Sequence, residues 1–98
     1  MRVLLKISMP VEKGNEAYQS GALTQTIQSL AEMVTPEAMY FYPEAGRRTA
    51  MLVFDMEGSW QLPSLVEPLF ENLNASVEVT PVMTIEDLQR GMAEAAAK

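Results

Sequence analysis

Lys6, Tyr40, Tyr42, Asp55, Glu78 and Trp60 are the side chains of this chain whose type and placement could do chemistry. All but Trp60 fall in segments where apolar and polar residues alternate, so residues two apart share one face of a strand. Lys6 lies in Met1–Met9, Tyr40 and Tyr42 in Ala38–Tyr42, Asp55 in Arg48–Met56 and Glu78 in Ala75–Met83. If the first strand runs between the third and the fourth, and register permits, Lys6 stands between two carboxylates. A lysine so placed could hold an anionic ligand, or a neighbouring carboxylate could serve as a general base. The plainer reading is an ordinary cross-strand ion pair. Tyr40 and Tyr42 offer flat apolar bodies with one hydroxyl each, suited to a planar ligand or to an interface. Trp60 follows a Gly-Ser turn and could cap a pocket mouth; the plainer reading packs it over a helix start. Arg47-Arg48 could grip a carboxylate or phosphate, or could be a solvated turn. In each case the plainer reading carries more weight.

What the chain lacks narrows the chemistry further. It has no histidine and no cysteine. Zinc and other transition-metal sites are built mostly from those residues, so no metal and no cofactor are expected. A Ser-His-Asp or Cys-His arrangement is impossible. Asp55-Met56-Glu57 and Glu86-Asp87 lack the spacing of a calcium loop, and the five glycines form neither a phosphate loop nor a dinucleotide fingerprint. Acid–base catalysis would rest on Asp, Glu, Lys or Tyr alone. The net charge of −6, with only seven scattered Lys and Arg, argues against nucleic acid and anionic membranes as partners. No apolar run approaches the ~20 residues of a membrane span, and no signal-peptide pattern opens the chain. A cytoplasmic protein is the default expectation.

The elements that must position these residues follow from periodicity and punctuation. At 98 residues a single domain is expected over 1–98, with no internal repeat or linker. Pro10 closes the first strand. A short helix is expected near Glu12–Ser20, a turn at Gly21, and a second helix near Leu23–Val34, where Leu23, Ile27, Leu30 and Val34 recur at helical spacing. Thr35-Pro36 ends it. Ala38–Tyr42 and Arg48–Met56 read as a hairpin joined by Pro43–Gly46. Ser59 is a candidate N-cap for a helix on which Leu62, Leu65, Val66, Leu69, Phe70 and Leu73 trace one face, with Pro68 awkward inside it. Ala75–Met83 reads as the last strand, and Pro81 suits a sheet edge. Thr84 and Asp87 resemble a capping box ahead of a final helix with an Ile85, Leu88, Met92 stripe. Residues 93–98 are expected to fray.

A β-α-β-β-α-β order with right-handed crossovers predicts an α+β fold of the ferredoxin-like type. Its antiparallel four-stranded sheet has the order 4-1-3-2, with a C-terminal helix added. Val3, Leu5, Ile7, Phe41, Ala50, Leu52, Phe54, Val77 and Val79 are expected to meet the helices. Leu4, Lys6, Tyr40, Tyr42, Met51, Val53, Asp55, Glu78 and Thr80 are expected on the open face. That face is half apolar and calls for a cover.

Three segments carry a resemblance: Gly46–Met56, Glu67–Phe70 and Leu73–Met83. They resemble a set of small uncharacterised bacterial proteins, which are in turn similar to the dimeric α/β-barrel group of ferredoxin-like folds. The resemblance implies a homodimer. Some members of the wider group are cofactor-free monooxygenases, isomerases or small-molecule binders, and several active members use a histidine that this chain lacks. The leading expectation is therefore a homodimer that binds a small organic molecule or acts as a regulatory module, with catalysis not favoured. The alternatives are a cofactor-independent monooxygenase or isomerase using Lys6, Asp55, Glu78 and Tyr40, and a protein–protein interaction module.

Overall fold

Alternation in the strands and 3.6-residue periodicity in the helices produce two layers. The computed structural model describes residues 1–97. Chain order is β1 (Arg2–Ser8), α1 (Val11–Ser20), α2 (Ala22–Val34), β2 (Ala38–Glu44) and β3 (Arg47–Asp55). A 3-10 turn at Ser59–Gln61 then leads into α3 (Leu62–Leu73), β4 (Ser76–Pro81) and α4 (Ile85–Ala96). The strands form one antiparallel sheet in the order β2-β3-β1-β4, which is the expected order read from the other edge. This is the ferredoxin-like arrangement. Among the described residues no helix is long and apolar enough to cross a membrane.

Odd positions of β1 and even positions of β3 face the helices. Val3, Leu5, Ile7, Ala50, Leu52 and Phe54 are buried there against Ala17, Leu30, Leu65, Leu69 and Leu73. Val77 and Val79 pack at the margin of this core. Phe41 departs from expectation. Its register opposite Ala50 gives it the helix-facing parity, yet it is 61% exposed. β2 is an edge strand, and Phe41 borders a hollow that α1 and α2 leave open beside it. Met39 packs against the core in its place.

Boundaries shift for local reasons. Gly21, at φ 85°, ends α1 and starts α2 without a break in the backbone path, because glycine adopts left-handed geometry at no steric cost. The β2–β3 loop is shorter than expected: Glu44 pairs with Arg47, leaving only Ala45 and Gly46 between the strands. Both have positive φ, 52° and 76°, as a primed hairpin turn requires. Pro43 thus lies within β2, at an edge where a missing N–H is tolerated. Ser59 does not cap a helix through its side chain. The 3-10 turn intervenes, and the Gln61 side-chain oxygen accepts the Glu57 N–H at 2.8 Å. Pro68 sits inside α3 on its exposed face. Thr84 and Asp87 form both halves of the capping box, each bond 3.1 Å long. Ala93–Ala96, expected to fray, continue α4, in keeping with the helix propensity of alanine. Lys98 lies outside the described residues.

No residue of α4 is buried. Ile85, Leu88 and Met92 are 60%, 40% and 63% exposed. The longest dimension is 54 Å against 28 and 19 Å. The radius of gyration of 15.7 Å exceeds the ~13 Å usual for about 100 residues. Helix α4 therefore stands off the two-layer body.

Candidate functional site

The open sheet face carries the expected side chains in a different grouping. Lys6 is opposite Met51 on β3 and Glu78 on β4, so Lys6 and Glu78 are direct neighbours. Asp55 is opposite Arg2, four residues from Lys6 along β1, a separation of roughly 13 Å at strand spacing. The register brings Lys6 and Glu78 together and leaves Asp55 at the far end of the sheet. Asp55 is instead held by the Met1 amine at 2.8 Å, which keeps its carboxyl below the usual range.

The ion partner of Lys6 is Glu44. Glu44 falls in the turn expected over Pro43–Gly46, but the alternation Tyr40, Tyr42, Glu44 carries β2 on to it. In register, the Lys6–Glu44 pair passes over Thr49 of β3, which is buried at 4% exposure although it lies on the open face. The hydrogen bond to Glu44 is the main cause that raises the Lys6 pKa; burial opposes it, and the charges of Glu44, Tyr42 and Glu78 each add a smaller rise. A lysine held more firmly protonated and an aspartate held more firmly ionised are fixed charges. Neither is moved toward the neutral range where proton transfer is most efficient.

Tyr42 is half-buried opposite Thr49, whereas Tyr40 is 62% exposed opposite Met51. Trp60 belongs to neither group. It sits on the 3-10 turn, 72% exposed, and its ring lies over Gly58, where a β-carbon would come within 1.8 Å of it. Only glycine allows that stacking. Together with Met33, Phe54 and Asp55, Trp60 lines a shallow hollow of 340 Å³. A charged set closes the same end of the open face as Asp55. Arg2 binds Glu37 through its Nε at 2.8 and 3.1 Å and approaches Asp87 at 3.9 Å. The Glu37 contact is the main reason its pKa rises. Among the described residues no group of three or more carboxylate, imidazole or thiol side chains is placed to hold a metal.

A larger hollow of 740 Å³ lies on the opposite side of the sheet, between α1, α2 and the β2–β3 hairpin. Val11, Leu23, Ile27 and Phe41 supply apolar wall, and Tyr42 is the one expected site residue that borders it. Its polar corner is Arg48. The guanidinium donates from Nη1 to the Asn15 side-chain oxygen at 2.8 Å and lies 5.6 Å from the centre of the Tyr18 ring. It also rests on α1 at buried Gly14, where a β-carbon would stand 3.1 Å from Nη1. Gly14, which reads as a weak point in a helix, is the gap that admits this arginine. The hollow leaves no periodic signal in the sequence because it is made by what the helices fail to cover. The adjacent Arg47-Arg48 pair was its only legible trace.

Fold and site together define a ferredoxin-like chain with an open sheet face, an unpacked terminal helix and a groove on the helix side. The structure is similar to a de novo designed protein, Ferredog-Diesel, with a TM-score of 0.50 and 8% identity. The match covers 83% of this chain and 85% of that one, and at this identity it speaks to the fold alone. No protein-family model and no curated protein sequence matches the chain.

Proposed function

We propose that this protein works as a homodimeric binding module of the dimeric α/β-barrel type, in which two open sheet faces meet. The observation that carries this is the unpacked α4 beside an uncovered, half-apolar sheet face. Leu4, Met51 and Val53 are half-buried with no layer over them. Helix α4 has no buried residue at all. Two twisted sheets pack face to face about 10 Å apart, and a two-fold axis makes one patch its own complement.

Area supports including α4 in the same interface. Four strands at about 4.8 Å and seven residues at about 3.3 Å span a face of roughly 450 Å². A stable interface removes about 800 Å² per partner from solvent, so a flat sheet face alone falls short. Helix α4, about 18 Å long, supplies further apolar surface through Ile85, Leu88 and Met92. The firmly held charges of Lys6 and Asp55 favour holding a partner or ligand over proton-transfer catalysis. Sedimentation equilibrium of the whole chain tests the assembly. A mass twice 10.9 kDa is expected, and a monomer at every concentration would refute it.

A further inference from the structure

We propose that the groove between α1, α2 and the β2–β3 hairpin binds a small amphipathic carboxylate, with Arg48 holding the carboxylate and the apolar body lying against Phe41, Leu23 and Ile27. The site deepens the ligand half of the function proposed above. It is formed within one copy and lies on the helix side of the sheet, so it does not depend on the dimer.

Charge complementarity selects the ligand. The chain carries thirteen acidic residues and seven basic ones, yet two of the basic residues stand side by side here. Every ion pair among the described residues involves other cations: the Met1 amine, Arg2, Lys6, Lys13 and Arg90. Neither Arg47 nor Arg48 has a carboxylate within 4.0 Å among those residues. Arg48 is also held in place beforehand. Asn15, the Tyr18 ring and the bare backbone at Gly14 fix its guanidinium. Among the described residues its one side-chain hydrogen bond is to Asn15, which leaves most of its five N–H donors for a planar bidentate acceptor. A prepositioned arginine spends less freedom on binding than a mobile one.

The apolar wall selects the rest of the molecule. Phe41 is 61% exposed and Val11 52%, an arrangement that only a covering apolar group would relieve. A hollow of 740 Å³ lies within the range of small-molecule sites. A bare inorganic anion would leave this wall wet, and a neutral hydrocarbon would leave Arg48 without a counter-charge.

The test is calorimetric titration of the full chain with 2-naphthoate and with its neutral counterpart, 2-naphthamide. The naphthoate is expected to bind at least about tenfold more tightly, the ratio that a charge-assisted hydrogen bond supplies. Arg48→Met is expected to abolish that ratio, and Arg48→Lys to restore it in part. Phe41→Ala is expected to weaken both ligands while keeping the ratio, and because Phe41 is exposed the variant keeps the fold. Thermal unfolding of each variant identifies any loss due to misfolding. Equal binding of acid and amide, no binding at millimolar concentration, or an unchanged ratio in Arg48→Met would each overturn the proposal. If naphthoate binds only after Leu88→Glu has separated the copies, the groove belongs to helix α4 of a second copy. That result would also overturn it. The mass measurement stands apart from all these outcomes, so a missing dimer and a missing ligand site are distinguishable.

Discussion

Ala45 is the residue whose replacement tests the hairpin, and with it the placement of Arg48. It is a non-glycine residue at φ 52°, in a two-residue loop whose other member, Gly46, has φ 76°. Left-handed geometry costs an L-residue about 1–2 kcal/mol. Ala45→Gly removes that cost but adds about 0.5–1 kcal/mol of unfolded-state entropy, so the expected net gain is about 0.5–1 kcal/mol. For a chain of this size the gain corresponds to a rise in melting temperature of roughly 2–8 °C. Ala45→Asn should gain at least as much, because asparagine tolerates the left-handed region without the full entropy of glycine and creates the Asn-Gly pair this turn favours. Ala45→Val should lose about 1–2 kcal/mol, since a β-branched residue fits positive φ worst. A β-carbon on Gly46 would meet nothing within 4 Å, so any loss in Gly46→Ala is conformational rather than steric. The assay is urea unfolding followed by circular dichroism, with midpoints compared at constant slope. If the Gly and Asn variants are no more stable than the parent, or the Val variant is unharmed, the two-residue loop is wrong. The pairing of Tyr42 with Thr49 would fall with it, and so would the position of Arg48 over α1.

Other perturbations probe the remaining layers. Val53→Lys on the open face should leave monomer stability within about 0.5–1 kcal/mol, because the ammonium reaches water. In a two-fold interface the loss of about 1.5 kcal/mol of valine burial counts twice, which weakens dimerisation at least a hundredfold in sedimentation. Leu52→Ala or Leu69→Ala, at fully buried positions, should cost about 2–5 kcal/mol and shift the urea midpoint accordingly. Thr84→Ala should cost about 1 kcal/mol and reduce helical circular dichroism at α4. The Asp87 carboxyl is lowered by its bonds to Thr84. Its contribution is therefore complete above the unfolded value of about 3.9 and is lost as pH falls through the lower folded value. An acid titration that shows loss of α4 helicity near neutral pH would contradict this.

The sheet was legible because strand parity is binary. Alternation in Val3–Ile7 and Ala50–Phe54 assigns each side chain to a face, and the element order then restricts the strand order to 4-1-3-2. The capping box was legible because it is local. What was not legible depends on register or on tertiary reach. Lys6, Asp55 and Glu78 share a face, but only the pairing of Arg2 with Asp55 shows that the aspartate sits at the far end. Phe41 has core parity and remains exposed because it borders the hollow that α1 and α2 leave open, which no periodicity records. Gly14 reads as a helix weakness until Arg48 is seen resting on it. The groove is likewise a property of the gap between elements.

The proposed cover for the open sheet face and α4 is a second copy of the chain. Sedimentation equilibrium of the unmodified chain across micromolar concentrations measures this directly. A mass twice 10.9 kDa is expected, falling toward 10.9 kDa only on dilution or in Val53→Lys. A mass of 10.9 kDa throughout would contradict it and leave the open face and the unpacked helix without the partner assigned to them here.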